Sequence, residues 1–237
     1  ILHQPERVII EYNGMWLVSN FEKMQLPTGW GVEQQITCVD GSTFQMYMAN
    51  MKSIFMDMIK NTDMVIFNRC KKEDPLPTYR RGIKVANQRA EVIFEDEEGE
   101  LGDIFQDEMP FDMNAPVIEI LPEDYGIWFV DAMDHPENYE GKTVKFKARV
   151  MKPRGMGSKF FVPGRTAMTC CADDTTFLGY VCKSAYAPKL TPGEWVEVTA
   201  KVGIEKRNEY QGEEGIVLSA EHVEQCDPLE DEMVYFN

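Results

Sequence analysis

The sequence predicts an α+β protein, with a mixed α/β N-terminal domain followed by an OB-like five-stranded β-barrel. Apolar residues recur at helical spacing within residues 43–60, between segments rich in β-branched residues. Short strand-like segments separated by Gly- and Pro-containing turns then fill residues 142–223. We therefore expect a mixed α+β domain over residues 1–120 and a helix-plus-barrel domain over residues 121–237.

The distribution of charge supports two domains. Residues 1–140 carry 11 Lys+Arg and 26 Asp+Glu, whereas residues 141–237 carry 13 and 14. A change of this size near Gly141 is typical of a boundary between units with different surfaces. The 43% share of hydrophobic residues is enough for packed cores in both units.

The N-terminal segment begins with residues that favour extended structure. Arg7–Val18 is rich in β-branched and aromatic residues, so it predicts a strand, with a hairpin turn at Asn13-Gly14. Gln34–Val39 predicts another strand, which Asp40-Gly41 ends.

A helix is expected next, from Thr43 to Lys60, with Ser42 as its N-cap. Met64–Asn68 predicts a short buried strand, the run Asp74-Pro75-Leu76-Pro77 breaks the chain, and Ile83–Phe94 predicts extended structure. The residues that give the helical spacing are Phe44, Tyr47, Met48, Met51, Phe55, Met58 and Ile59.

An acid-rich segment precedes the second domain. Glu91–Asp112 contains ten acidic residues and no basic one, which predicts a solvated loop, with a cation site or a surface for a basic partner as the alternatives. Val117–Leu121 predicts a strand, and Pro122 with two following acids suits the first turn of a helix that runs to about Asp134.

The barrel is predicted from strands of regular length. In Lys142–Met151 the apolar residues alternate with Lys145, Lys147 and Arg149, which indicates one buried and one solvated face. The strand segments after it are Lys159–Val162, Thr166–Cys171, Leu178–Cys182, Trp195–Val202 and Ile216–Val223.

The chemistry-bearing residues concentrate in one stretch, where Cys170 and Cys171 precede Asp173 and Asp174, with Cys182 further on. Thiolates and carboxylates bind divalent metals, and zinc is the expected ion for a mixed sulfur, nitrogen and oxygen site. Neighbouring residues of a regular strand point to opposite faces, so both thiols reach one metal only where the strand bulges or ends. One core cysteine beside one exposed cysteine is the alternative.

Two further ligands could complete such a site. His222 lies in the last predicted strand and Cys226 follows it closely, so the two could join Cys170 or Cys171. A thiol-based redox role for Cys170, Cys171 or Cys182 is the runner-up function.

Composition and motifs exclude several classes of function. The net charge of −16 argues against a nucleic-acid partner. Residues 141–172 are the exception, with eight Lys/Arg and no Asp or Glu. That basic stretch predicts an exposed barrel face, with anionic lipid or an acidic partner as the alternative. No Gly-x-Ser-x-Gly or P-loop pattern occurs, and no run of 18 apolar residues. Because the chain begins at Ile1, we expect a membrane anchor to be absent from it.

Two blocks together resemble a known family. His135 to Val144 is similar to an "N-P-E-x-Y-x-G-K-x-V" entry into a barrel, and Arg165 to Asp174 is similar to the "R-x-x-x-x-C-C-x-A-D" segment after it. Trp195 to Val198 is similar to a later "W-V-x-V" strand, and the closing Met233 to Phe236 is a looser match to a "P-Y-x-Y" tail. Over roughly residues 120–237 the chain resembles the YcgQ-like family of predicted permease accessory subunits.

The resemblance implies a membrane-associated subunit, because members carry N-terminal membrane helices and are encoded with a predicted membrane permease. We therefore expect a non-enzymatic portion of such a subunit, which binds the permease and a divalent metal. His135 in place of Asn, the second acid Asp174 and the lack of Pro before Tyr235 depart from the pattern.

Overall fold

Residues 5–102, 109–169 and 175–234 are described by a computed structural model, and they divide into two units. The first unit contains the described residues up to Asp74 together with Arg89–Leu101. The second contains Pro75–Gln88 and the described residues from Gly102 onwards. Helices and strands are both present, as the predicted α+β class requires.

The first unit is built on a three-stranded parallel sheet in the order β1-β2-β3. The strands pair in a continuous register, from Ile36 opposite Met64 to Asp40 opposite Asn68. The elements of this unit are α1 (Val18–Glu22), β1 (Ile36–Asp40), α2 (Phe44–Ile59), β2 (Met64–Asn68) and β3 (Glu91–Phe94).

Aromatic rings hold α2 against the sheet. The ring of Phe44 lies 4.9 Å from that of Phe67 and 5.1 Å from that of Phe55, each edge to face. Phe67 stacks in turn on Phe94, with ring centroids 5.0 Å apart. Aromatic pairs at these distances add to the gain from burial, so this cluster fixes the helix on the sheet.

The predicted strand and hairpin over Arg7–Val18 are wrong. A turn does form there, since the Trp16 amide donates to the Asn13 carbonyl at 2.9 Å, but no strand flanks it among the described residues. Ile9 is 92% exposed, so its segment has no packed face to stabilise an extended conformation.

Two local signals in the first hundred residues were misinterpreted. Extended structure over Ile83–Phe94 is wrong in its first part, because α3 (Leu76–Ala86) occupies it, with Pro77 in the first turn where proline is tolerated. Ser42 is not the N-cap of α2, because Thr43 occupies that position and makes no side-chain capping bond. The Asp40 carboxylate instead caps the 3-10 turn Gly41–Thr43 before the helix, where it accepts from the Ser42 amide at 3.0 Å. Residues 103–108 of the acid-rich segment lie outside the described residues.

The second unit contains a closed five-stranded barrel. The strands follow the order β6-β8-β10-β9-β5, and pairing between β5 and β6 closes the ring. The elements of this unit are α3, β4 (Ile118–Glu119), α4 (Tyr125–Asp134), β5 (Thr143–Met151), β6 (Phe160–Met168), β7 (Thr175–Gly179), β8 (Val181–Lys183), β9 (Trp195–Lys206), β10 (Glu214–Gln225) and β11 (Met233–Val234).

The alternation predicted for β5 is confirmed, because every second residue of the strand is buried. Parts of two segments predicted as separate strands, Lys159–Val162 and Thr166–Cys171, lie in the single strand β6, which continues through Pro163 and Gly164. Cys170 and Cys171 lie outside the described residues. The predicted strand Leu178–Cys182 is instead divided between β7 and β8.

Helix α4 packs on the barrel with most of its surface buried. Trp128 is fully buried and its ring lies 4.8 Å from that of Phe146 on β5. The Tyr125 hydroxyl donates to the Leu178 carbonyl at 3.0 Å, which satisfies the polar atom of an otherwise buried ring. In the described part of the chain, no helix is long and apolar enough to span a membrane.

Candidate functional site

An open groove runs across the outside of the barrel where β4, β5, β9 and β10 lie side by side. Its volume is about 500 Å³. Charged and polar side chains dominate its wall, which consists of Val117, Glu119, Lys145, Glu197, Thr199, Glu221 and His222.

Strand alternation places the groove side chains of β5 and β9 on the outside of the barrel. Val144 and Phe146 point into the core on either side of Lys145, which therefore points out. On β9 the same alternation buries Val198 and leaves Glu197 and Thr199 outside. The groove is thus the solvated face that the alternating pattern of a half-buried strand predicts.

A bulge on β10 provides the last two wall residues. Ala220 pairs with Ala200 and His222 pairs with Thr199, so Glu221 is an extra residue without a partner on β9. A bulge of this kind redirects side chains and interrupts the alternation. As a result, two successive residues, Glu221 and His222, both line the groove.

The groove carries an excess of negative charge. The Lys145 ammonium lies 3.1 Å from a Glu197 carboxylate oxygen. The hydrogen bond and the charge of Glu197 raise the pKa of Lys145, and the charges of Glu119 and Glu224 act in the same direction. Because the lysine is already paired with Glu197, the carboxylates of Glu119 and Glu221 remain available to a positively charged group.

The main metal ligands predicted from the sequence, Cys170, Cys171, Asp173 and Asp174, lie outside the described residues. A zinc ion held by them stays a prediction. The three remaining candidates, Cys182, His222 and Cys226, are described and can be compared directly.

Cys182 lies in the barrel core. It is 0% exposed on β8, opposite Leu218 of β10, and burial raises the pKa of its thiol to about 12. A thiol with that pKa is protonated at neutral pH, and the thiolate is the form that binds metal or attacks a disulfide. The surroundings of Cys182 therefore do not fit a metal ligand or a redox thiol.

His222 and Cys226 lie too far apart to share an ion. They are four positions apart in extended chain, which places their Cα atoms about 13 Å apart at the rise of a β-strand. Burial, the largest cause, raises the pKa of the Cys226 thiol, although the charge of Lys147 opposes the shift. Within residues 5–102, 109–169 and 175–234, no three His, Cys, Asp or Glu residues are grouped to hold a metal ion.

Most of the groove residues were not predicted from the sequence as parts of a site. Alternation did place Lys145 on the solvated face, and His222 was singled out for another reason. Glu119, Glu197 and Glu221 come together only through the pairing of four strands, and the bulge at Glu221 leaves no mark in the sequence pattern.

The comparison with protein families shows which family the chain belongs to. The family model of the DUF1980 C-terminal domain matches residues 100–236, which is more than half of the chain. The chain belongs to this family. The DUF1980 C-terminal domain thus includes α4, all of the barrel and the groove, in agreement with the resemblance over residues 120–237.

Other comparisons add little. No curated protein matches the chain. The mitochondrial single-stranded DNA-binding protein Rim1 from S. cerevisiae is similar at 10% identity and a TM-score of 0.23, over 37% of this chain and 97% of that chain. The aspartyl tRNA synthetase from Entamoeba histolytica is similar at 15% identity and a TM-score of 0.26, over 50% of this chain and 27% of that chain.

Proposed function

We propose that this DUF1980 C-terminal domain is the non-enzymatic, partner-binding portion of a membrane-associated permease accessory subunit. In this proposal the groove binds a basic segment of the permease. The observation that supports it is the charge of the groove, where Lys145 is paired with Glu197 and the carboxylates of Glu119 and Glu221 remain available.

A membrane protein offers a suitable segment for this groove. The cytoplasmic loops next to membrane helices carry an excess of Lys and Arg. Complementary charge steers such a loop to its partner and fixes the register of the complex. The open shape of the groove suits an extended loop better than an enclosed small molecule.

The thiol-redox alternative has less support. Of its three candidate residues, Cys182 is described, and its burial and raised pKa oppose thiolate chemistry. A nucleic-acid partner is opposed by the net charge of −16 and by the carboxylates of the groove.

Co-purification with the permease tests the proposal. The permease encoded beside the subunit is expressed with the wild-type chain or with the E119Q/E197Q/E221Q variant, which removes three negative charges and keeps the side-chain shapes. We expect the variant to bind the detergent-solubilised permease about tenfold or more weakly, since each lost charge pair contributes a fraction of 1 kcal/mol to about 1 kcal/mol.

A matched control removes the same charge elsewhere. The variant E205Q/E213Q/E214Q changes three exposed carboxylates at the hairpin between β9 and β10, and we expect it to bind the permease as the wild type does. Equal binding by the groove variant and the control variant would contradict the role of the groove. Failure of the wild-type chain to bind would contradict the proposed partner.

A further inference from the structure

The barrel is divided by charge into two halves along the sequence. Within residues 141–169 and 175–193, which are described, there are ten Lys/Arg and no Asp or Glu. Residues 194–234 contain three Lys/Arg and twelve Asp/Glu. The first half supplies β5, β6, β7 and β8, and the second supplies β9 and β10 with their acidic outer face.

Two segments of the basic half are joined at one corner of the barrel. They are the β5–β6 loop, residues 152–159, and the segment from β8 to the following turn, residues 183–190. The Lys152 ammonium donates to the Ala187 carbonyl at 2.6 Å and to the Leu190 carbonyl at 2.5 Å. The Ser184 amide donates to a carbonyl at the other end of the loop, that of Lys159, at 2.9 Å.

These two joined segments carry four exposed cations, and we refer to them as the cationic corner: Arg154, Lys159, Lys183 and Lys189. None of the four makes an ion pair with a described residue. Several basic residues elsewhere on the barrel are paired, since Lys145 pairs with Glu197, Arg149 with Glu232 and Arg207 with Glu209.

An exposed aromatic ring lies in the same segment as two of these cations. Tyr186 follows β8 directly and is 44% exposed. Tyrosine is enriched at membrane–water interfaces, where its ring lies at the level of the headgroups. A tyrosine ring among clustered Lys and Arg residues is typical of a surface that contacts a bilayer.

We propose that the cationic corner docks on the anionic phospholipid headgroups of a membrane surface. Clustered Lys and Arg near a membrane are attracted to its anionic lipids within about one Debye length, ~10 Å at 0.1 M salt. The remaining acidic residues of the chain are screened beyond that distance, so the net charge of −16 does not prevent local contact.

Headgroups fit the corner better than single-stranded nucleic acid does. Recognition of single strands uses exposed aromatic rings on which successive bases stack. Phe160 follows Lys159 and pairs with Lys183, but its ring is covered by the Arg207 guanidinium, which lies 4.3 Å from the ring centroid. Docking on lipid does not rest on the proposed permease partner, and it can be measured with the chain alone.

Vesicle co-sedimentation tests the inference. The purified chain is mixed at about 0.1 M salt, where the distant acidic residues are screened, with vesicles of phosphatidylglycerol and phosphatidylcholine, or with phosphatidylcholine alone. We expect binding to the anionic vesicles only, and release at 0.5 M salt, because the attraction is electrostatic. The R154Q/K159Q/K183Q/K189Q variant should bind roughly 600-fold more weakly, since each of the four cations near the surface contributes about fivefold.

The matched control is K23Q/K60Q/K71Q/K72Q, which removes four exposed lysines of the first unit and therefore changes the net charge equally. We expect this control to bind the anionic vesicles as the wild type does. Equal loss in both variants, or no binding of the wild type to anionic vesicles, would overturn the proposal. Binding of single-stranded DNA in preference to vesicles at the same salt would also overturn it.

Discussion

Arg165 is a fully enclosed cation whose partners are backbone carbonyls. It is 2% exposed, and its guanidinium donates to Pro122 and, at 3.0 Å each, to Asp231 and Met233. The Cζ atom of the guanidinium lies 5.6 Å from the centroid of the Tyr125 ring. The Arg165 side chain thus connects β6 both to the turn that precedes α4 and to the region of β11.

Replacing Arg165 with methionine should destabilise the fold strongly. R165M keeps much of the volume but leaves three carbonyls without their donor, and we expect a loss of about 2–4 kcal/mol of unfolding free energy. Urea unfolding measures it. R149M is the control, because Arg149 is 42% exposed and pairs loosely with Glu232 at 3.6 Å, so its loss should be about 1 kcal/mol or less. Equal losses would contradict the role given to burial.

The sequence identified Arg165 as part of a family segment but not as a clamp. Its partner carbonyls lie 43, 66 and 68 residues away along the chain, and no local pattern records such contacts. The same limit applies to Cys182, whose burial depends on strands paired across the barrel.

At the level of elements, β6 and β7 approach each other through a pair of glycines. Gly164 pairs with Gly179, and a Cβ on Gly164 would lie 2.3 Å from the Leu178 carbonyl oxygen. A Cβ on Gly179 would lie 2.6 Å from the Pro163 carbonyl oxygen. The two strands can therefore pair this closely only without side chains at these positions.

Alanine at Gly164 should separate β6 from β7. Since the obstructing atom is a backbone oxygen, we expect G164A to cost about 1–3 kcal/mol of stability, as overpacking does elsewhere. Thermal unfolding followed by circular dichroism measures the loss. In the control, G203A, the new Cβ meets nothing closer than 3.7 Å, so a similar loss there would contradict the steric argument.

Elements in which apolar residues repeat regularly were predictable from the sequence, and segments without a packing partner were not. Met64–Asn68 was predicted with its observed bounds, and β5 with its buried face, because apolar side chains repeat there. The strand predicted at Arg7–Val18 failed because β propensity stabilises a strand only when a partner and a packed face exist. Helix α3 was missed because Pro77 was interpreted as a break rather than as part of a first turn.

At the scale of the whole molecule, buried thiol and phenol groups make the free energy of unfolding depend on pH. Burial raises the pKa of Cys70 to about 11 and that of Cys182 to about 12, and it also raises the pKa of Tyr125, Tyr139 and Tyr180. In the unfolded chain these groups ionise near their ordinary values, so above about pH 9 the unfolded state holds fewer protons than the folded state.

Stability should therefore fall as the pH rises. The contribution of these groups is complete below about pH 9 and is lost as the pH increases toward the folded-state pKa values of 11 and 12. Urea midpoints between pH 7 and pH 11 measure the trend. C182A should reduce the slope above pH 9, whereas an unchanged midpoint across that range would contradict the assignment.

The architecture of the second unit was more predictable than its site. Short strands separated by regularly spaced turns were enough to predict a closed barrel, because turn spacing restricts the ways in which a sheet can close. Six segments were predicted for its five strands, since parts of two of them lie in β6. The groove depends on which outward side chains become neighbours across β4, β5, β9 and β10, and that depends on register.

The Arg165 clamp has a consequence for synthesis on the ribosome. A guanidinium loses its water at acceptable cost only when other polar atoms replace it. Two of its three carbonyl partners belong to Asp231 and Met233, which are synthesised 66 and 68 residues after Arg165. A nascent chain in which β6 has left the ribosome must therefore keep the guanidinium hydrated until those later residues have also left it.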